Sequence, residues 1–255
     1  MITNNKITLL VVSLIILFTN GCQKEFTPDA PTGSLKITFV NKVKGNPMEL
    51  NTTTYTNPFA EQYTISKFKY YVSNVAVNQS AGAWKENDSY HLIDASNSSS
   101  LSFTMNPTTG TYQSLSFMIG VDSIRNVSGA QTGALDPTND MFWTWSTGYI
   151  MAKFEGNSPS SSQVNNKVEY HIGGFDAANS VLKNITLVFP AGSTLSIRDG
   201  KTCEIIIAAD FDAWWQSPND LQIAVNPVCT TPGTLAKKIA DNYSKMFIVS
   251  DVINN

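Results

Sequence analysis

Apolar and polar residues alternate along many short runs of this chain. Leu35-Lys36-Ile37-Thr38-Phe39, Leu101-Ser102-Phe103-Thr104-Met105, Leu115-Ser116-Phe117-Met118-Ile119, Val168-Glu169-Tyr170-His171-Ile172 and Ile185-Thr186-Leu187-Val188-Phe189 are the clearest. A period of two puts the apolar side chains of an extended strand on one face. Tyr63 to Ile65, Phe68 to Val72, Tyr90 to Asp94, Leu195 to Ile197 and Glu204 to Ile207 add shorter strand signals. Turn residues separate these runs at short intervals, as in a sandwich or barrel. The expected fold is therefore all-β: an antiparallel β-sandwich or barrel-like domain with long loops. One helix is expected near the C-terminus. Thr231 would cap it, Pro232 suits its first turn, and Leu235, Ile239, Tyr243 and Met246 fall on one stripe.

One stretch breaks the pattern. Gly120 to Gly156 is rich in Gly, Ser, Thr and Asn, yet ends in the apolar knot Met141-Phe142-Trp143-Thr144-Trp145. Long irregular segments in compact domains are uncommon and often functional. Trp143 and Trp145 are two residues apart, so an extended backbone points both the same way. Within the stretch, Asp136, Asn139 and Asp140 offer oxygen ligands at the short spacing that can hold calcium. The same residues make turns by bonding their own backbone, and their spacing does not match an EF-hand loop, so the turn is the stronger expectation. Asp122, Ser123, Ser128 and Gln131 are expected to hold the loop in the same way.

The N-terminus sets the compartment. Lys6, the only charge in residues 1–21, precedes the apolar run Ile7 to Phe18 and then Thr19-Asn20-Gly21-Cys22. A basic start, a short apolar core and small residues make a signal peptide; the run is too short to span a bilayer as a helix. Gly21-Cys22 is a lipoprotein junction, with Thr19 departing from the usual Leu. Residues 1–21 are read as the signal, 22–34 as a tether lipidated on Cys22, and 35–253 as one β domain. The protein is expected to be an outer-membrane lipoprotein, facing the periplasm or the surface.

Composition narrows the function. The chain has 17 basic and 20 acidic residues, a net charge of −3, and losing Lys6 with the signal makes it more negative. Nucleic-acid recognition needs a basic face, so it is excluded. No Gly-rich phosphate loop, GxSxG elbow or HExxH motif is present, and the chain is not expected to be an enzyme. If Cys22 carries lipid, Cys203 and Cys229 remain; outside the cytosol two such cysteines are expected to form a disulfide, worth about 3–4 kcal/mol on the chain-entropy model. The alternative makes one of them a metal ligand. The two histidines, His91 and His171, are the only imidazoles in the chain; imidazole is a common metal ligand, but taken alone each reads first as a satisfied core histidine or an exposed one.

Several separated blocks add a resemblance. A strand beginning at Leu35, Phe68-Lys69-Tyr70-Tyr71-Val72-Ser73-Asn74-Val75, Tyr90-His91-Leu92-Ile93-Asp94, the aromatic loop, Tyr170-His171-Ile172-Gly173-Gly174 and Ile239 to Phe247 occur in that order. Together they resemble the MbnP-like family of copper-binding envelope proteins, named for the member in methanobactin operons. The resemblance implies a copper site shared by His91 and His171. It also implies that a tryptophan, Trp145 ahead of Trp143, is oxidised to kynurenine by a di-haem, peroxidase-like partner and sits near the metal. An outer-membrane transporter is a further implied partner. The family's histidine near Cys229 is missing here, which leaves a third imidazole ligand in doubt. A reading from another class is a surface carbohydrate-binding or adhesion module, with Asp210 and Asp212 beside the pair Trp214-Trp215 as its cleft.

Overall fold

The computed structural model describes residues 30–129, 131–145 and 148–255. Cys22 and the signal segment lie outside the described residues. The fold is the expected all-β one, with two curled sheets face to face. The strands are β1 (Ser34–Val43), β2 (Lys67–Asn78), β3 (Tyr90–Asp94), β4 (Ser102–Met105), β5 (Ser114–Ile119), β6 (Phe142–Trp143), β7 (Gly148–Asn157), β8 (Lys167–Gly173), β9 (Lys183–Val188), β10 (Thr202–Asp210), β11 (Val228–Cys229) and β12 (Phe247–Ile253). The larger sheet runs β9-β5-β2-β7-β8-β11, and the smaller runs β12-β10-β1 with β4 on the far edge of β1. Most pairs are antiparallel. The exceptions are β1 with β10 and β8 with β11, which are parallel.

β1 shows how pattern becomes structure. Its residues are alternately half-buried and buried along all ten positions. Leu35, Ile37 and Phe39 enter the space between the sheets, where Phe39 meets Tyr70 and Phe117 edge-on at 6.0 Å. Phe68, Phe154, Phe211 and Trp214 continue this aromatic core. β7 is the strand that alternation does not reveal. Seven of its first eight residues are buried, because it lies mid-sheet with a loop over its outer face. A strand covered on both faces carries no polar period.

The C-terminal helix is real but shorter than expected. It spans Thr234–Tyr243, begins after Gly233 and has no side-chain cap. Thr231 therefore does not cap it: Gly233, at φ 149°, turns the chain two residues later. Ile239 and Tyr243 are buried as the stripe requires, and Met246 is buried just beyond the helix end.

The expected disulfide is not formed. Cys203 lies in β10 of the smaller sheet and its thiol donates to the Ser196 carbonyl at 3.3 Å. Cys229 lies in β11, the last strand of the larger sheet, paired with Tyr170. Both are free, buried thiols. Oxidising conditions favour bonding only between cysteines that the fold brings within reach. Burial pushes the Cys229 thiol up to about 11, which disfavours the thiolate a metal would need. The carbohydrate cleft also fails on burial. Trp214 and Trp215 are 1% and 0% exposed, and the Asp210 carboxylate accepts from the backbone N–H groups of Lys44 and Gly45. The pair is core, and no sugar could stack on it.

Candidate metal centre

Register places every candidate ligand on a definite face. Asp94 of β3 pairs with Lys69 of β2, Lys69 with Lys153 of β7, and Lys153 with His171 of β8. These four side chains form one row across the outer face. The next row is Lys67, Glu155 and Glu169. The opposite face carries Tyr70, Ala152 and Ile172, all buried in the core.

His91 is three residues before Asp94, an odd offset, so it faces the other way. It pairs with Val72 and lies on the same side as Ile93. Its ring stacks on Phe103 at 3.5 Å and 3°, and Nε2–H donates to Glu86 at 2.8 Å. Burial works to raise the Glu86 carboxyl, but hydrogen bonds from His91 and Ser89 outweigh it and hold it below its ordinary range. His91 and His171 thus lie on opposite faces, with β2 and β7 between their strands, a lateral separation of about 14 Å at ordinary strand spacing. The fold does not bring the two imidazoles to one ion. The sequence could have warned of this only through register, which no local pattern reveals.

His171 has the richer surroundings. Its Nε2 lies 2.9 Å from Glu155 and 3.4 Å from Glu169. One donor atom from each of Glu155, Glu169 and His171 falls within 4.8 Å of the other two. The hydrogen bond from His171 is the main reason the Glu155 carboxyl sits low, at about 2; partial burial opposes it and Lys67 assists. Lys67 lies 3.4 Å from Glu155, and Lys167 lies 2.9 Å from Glu169. Neither glutamate stands out in the sequence. They meet because β7 and β8 pair in this register.

The aromatic loop folds onto the same face. Tyr71 donates to the Ala134 carbonyl, Tyr149 to that of Leu135 and Lys69 to that of Asn139. The carboxylate of Asp140 lies 3.1 Å from Lys67 and 2.9 Å from Lys153. Asp136 caps a short 3-10 turn through Thr138, Asn139 donates to the carbonyls of Gly133 and Ala134, and Asp140 takes a left-handed conformation. These side chains bond to backbone groups and lysines. Asp122 likewise caps α1 (Ser123–Asn126), Ser128 donates to Ile124 and Gln131 to Ser128.

The loop seats the tryptophans beside His171. A Cβ on Gly173 would come within 2.4 Å of the Trp143 ring, so the indole lies directly on that glycine. Gly173 is two residues beyond His171 on the same face, about 7 Å along the strand. The Trp145 ring lies against Trp143 at a tilt of 37°, with ring centroids 5.3 Å apart. Trp143 is 6% exposed and Trp145 is 63% exposed. The outer face therefore carries the cluster His171, Glu155 and Glu169, with Trp143 on Gly173 two residues along β8 from His171, and leaves out His91 and both cysteines.

Among the described residues no helix is long and apolar enough to cross a membrane. A comparison with curated proteins finds no match. Among solved structures, the MbnP from Methylosinus trichosporium aligns at 14% identity and a TM-score of 0.47, covering 88% of this chain and 99% of that one. The MbnP family matches residues 32–231, a span that takes in both histidines, the aromatic loop and the Gly-Gly turn: the chain belongs to the MbnP family.

Proposed function

We propose that this protein is a copper-handling member of its family in the cell envelope, binding copper on the face that carries His171. The observation that supports the reading is that His171 shares one sheet face with Trp143, whose ring lies on Gly173 two residues further along the strand, in a chain of that family. Imidazole nitrogen and carboxylate oxygen form a donor set suited to Cu(II), so the residues present fit the metal. Bound copper would supply a cationic, redox-active centre. Trp145, exposed at the rim, is the indole that an oxidising di-haem partner can reach, and its oxidation to kynurenine belongs to this proposal. Lipid on Cys22 would hold the domain at the outer membrane. An outer-membrane transporter is its proposed route for copper.

Two measurements test this. Copper bound by protein purified from metal-supplemented medium should be lost in His171→Ala, by at least about tenfold in affinity, because one of very few donors is gone and even an outer-shell partner is worth that much. His91→Ala should bind as wild type does. Wild-type copper binding by His171→Ala would sink the site. For the anchor, Cys22→Ser should leave the membrane fraction and appear as a free envelope protein; unchanged membrane association would reject lipidation.

A further inference from the structure

We propose that the metal site of this chain is a one-histidine, two-carboxylate site, His171 with Glu155 and Glu169, and that it selects divalent ions such as Cu(II) and Zn(II) over Cu(I). The inference rests on the copper reading only for the place of the site; the donor set comes from the structure.

Three observations carry it. The first is distance. Metal–ligand bonds of about 2.0–2.1 Å put neighbouring donors roughly 2.9–3.4 Å apart, and His171 Nε2 lies 2.9 and 3.4 Å from the two carboxylates. The second is charge. Glu155 and Glu169 are direct cross-strand partners, and like charges directly opposite destabilise a sheet. Such a pair needs positive charge between or beside it. The third is what supplies that charge now. Lys67 and Lys167 approach the glutamates from side chains that are 43% and 49% exposed. Exposed ion pairs are worth little, so both lysines can swing into water when a cation arrives.

Selectivity follows from donor chemistry. Cu(I) favours soft thiolate and thioether ligands, whereas imidazole and carboxylate suit divalent ions. No sulfur belongs to the set. The arrangement is also distinct from a two-imidazole site, since His91 points to the opposite face.

The test uses full-length protein made without an oxidising partner. Cu(II) and Zn(II) are each titrated against a competing chelator, and Cu(I) against a cuprous chelator, for wild type, Glu155→Gln, Glu169→Gln, His171→Ala and His91→Ala. Each glutamine variant should weaken Cu(II) and Zn(II) by at least about tenfold, since even an outer-shell partner is worth that much. Cu(I) binding should change by no more than about twofold, and His91→Ala should match wild type for every ion. Loss of Cu(II) in His171→Ala with no change in either glutamine variant overturns the carboxylate set while leaving the copper reading standing. Zn(II) binding with no copper in either state removes the copper reading and the proposed donor set with it, because an imidazole–carboxylate site holds Cu(II) more tightly than Zn(II). No binding of any ion removes both. Thermal unfolding of each variant guards against misfolding. Should Glu155→Gln unfold, Glu169→Gln decides, because Glu169 is 22% exposed and its other cation partner is Lys167.

Discussion

Changing Asp140 to asparagine is expected to destabilise the protein by about 2–3 kcal/mol. The cause is Lys153. Its side chain is 1% exposed, in a strand whose other residues are nearly all apolar or small. Burial lowers the Lys153 ammonium from its usual range, and Asp140 restores only part of the loss. Removing one partner of a fully buried pair costs about 3–5 kcal/mol. Asp140 is 56% exposed, so water already screens the pair and the expected cost is smaller. The Asp140 backbone carbonyl also accepts from Lys153 and would remain. Lys153→Met should cost little, because the stem already lies among apolar atoms. The double variant Asp140→Asn/Lys153→Met should recover most of the loss, and urea unfolding of the three proteins closes the cycle. A single Asp140→Asn variant as stable as wild type would show that the carboxylate does not support this lysine. The pH dependence has a definite sign. Partial burial opposes ionisation of Asp140, but the hydrogen bonds from Lys153 and Lys67 prevail and hold its carboxyl below its ordinary range. Its contribution is thus complete above the ordinary carboxylate range and fades as pH falls through the lowered folded value. Acid unfolding of Asp140→Asn should be correspondingly less steep.

The second large effect is steric. Gly156→Ala is expected to cost about 3–5 kcal/mol, or to prevent folding. A Cβ at that position would stand 1.9 Å from the Thr64 carbonyl oxygen and 2.9 Å from its carbon. Backbone cannot swing aside as a side chain can. The segment is moreover laced to β7 by Thr64 N–H to Asn157 and Ser66 N–H to Glu155, at 2.8 and 2.7 Å. The neighbouring Tyr63 is wedged against Trp215 with centroids 4.9 Å apart and is fully buried. Gly200, at φ 63° with open space where its Cβ would be, makes the comparison; Gly200→Ala should cost only about 1–2 kcal/mol, the left-handed penalty. Comparable melting temperatures for the two variants would contradict the steric account.

These contacts explain which parts of the molecule were legible beforehand. β1 and β8 announce themselves, because one face of each is wetter than the other and the residues alternate accordingly. β7 does not, since Lys153 interrupts its apolar run at a position that is as buried as its neighbours. The Trp143–Trp145 knot was readable as a meeting point, and the structure sets the two rings against each other, tilted by 37°. The partners of His171 were not readable. Glu155 and Glu169 are fourteen positions apart along the chain, and only the pairing of β7 with β8 makes them neighbours. His91 fails as a co-ligand for the same reason: an odd offset from Asp94 turns it to the other face, and a register is a tertiary property. Cysteine counting failed too, because it weighs compartment and number but not which sheet each thiol occupies.

The parallel pairing of β1 with β10 bears on how the chain reaches this structure. Ser34 pairs with Thr202 and Lys42 with Asp210, so the middle of the smaller sheet joins segments 168 positions apart. Folding rates fall as contacts become more distant in sequence, because the entropy of closing the loop is spent before the contact rewards it. β1 is also among the first strands made, and its principal neighbour is among the last. Until β10 arrives, Leu35, Ile37 and Phe39 have no lasting cover and the edge of β1 stands open, the kind of surface that seeds aggregation. A protein of this topology that matures outside the cytosol must keep its first strand apart from other chains until nearly the whole sequence has emerged.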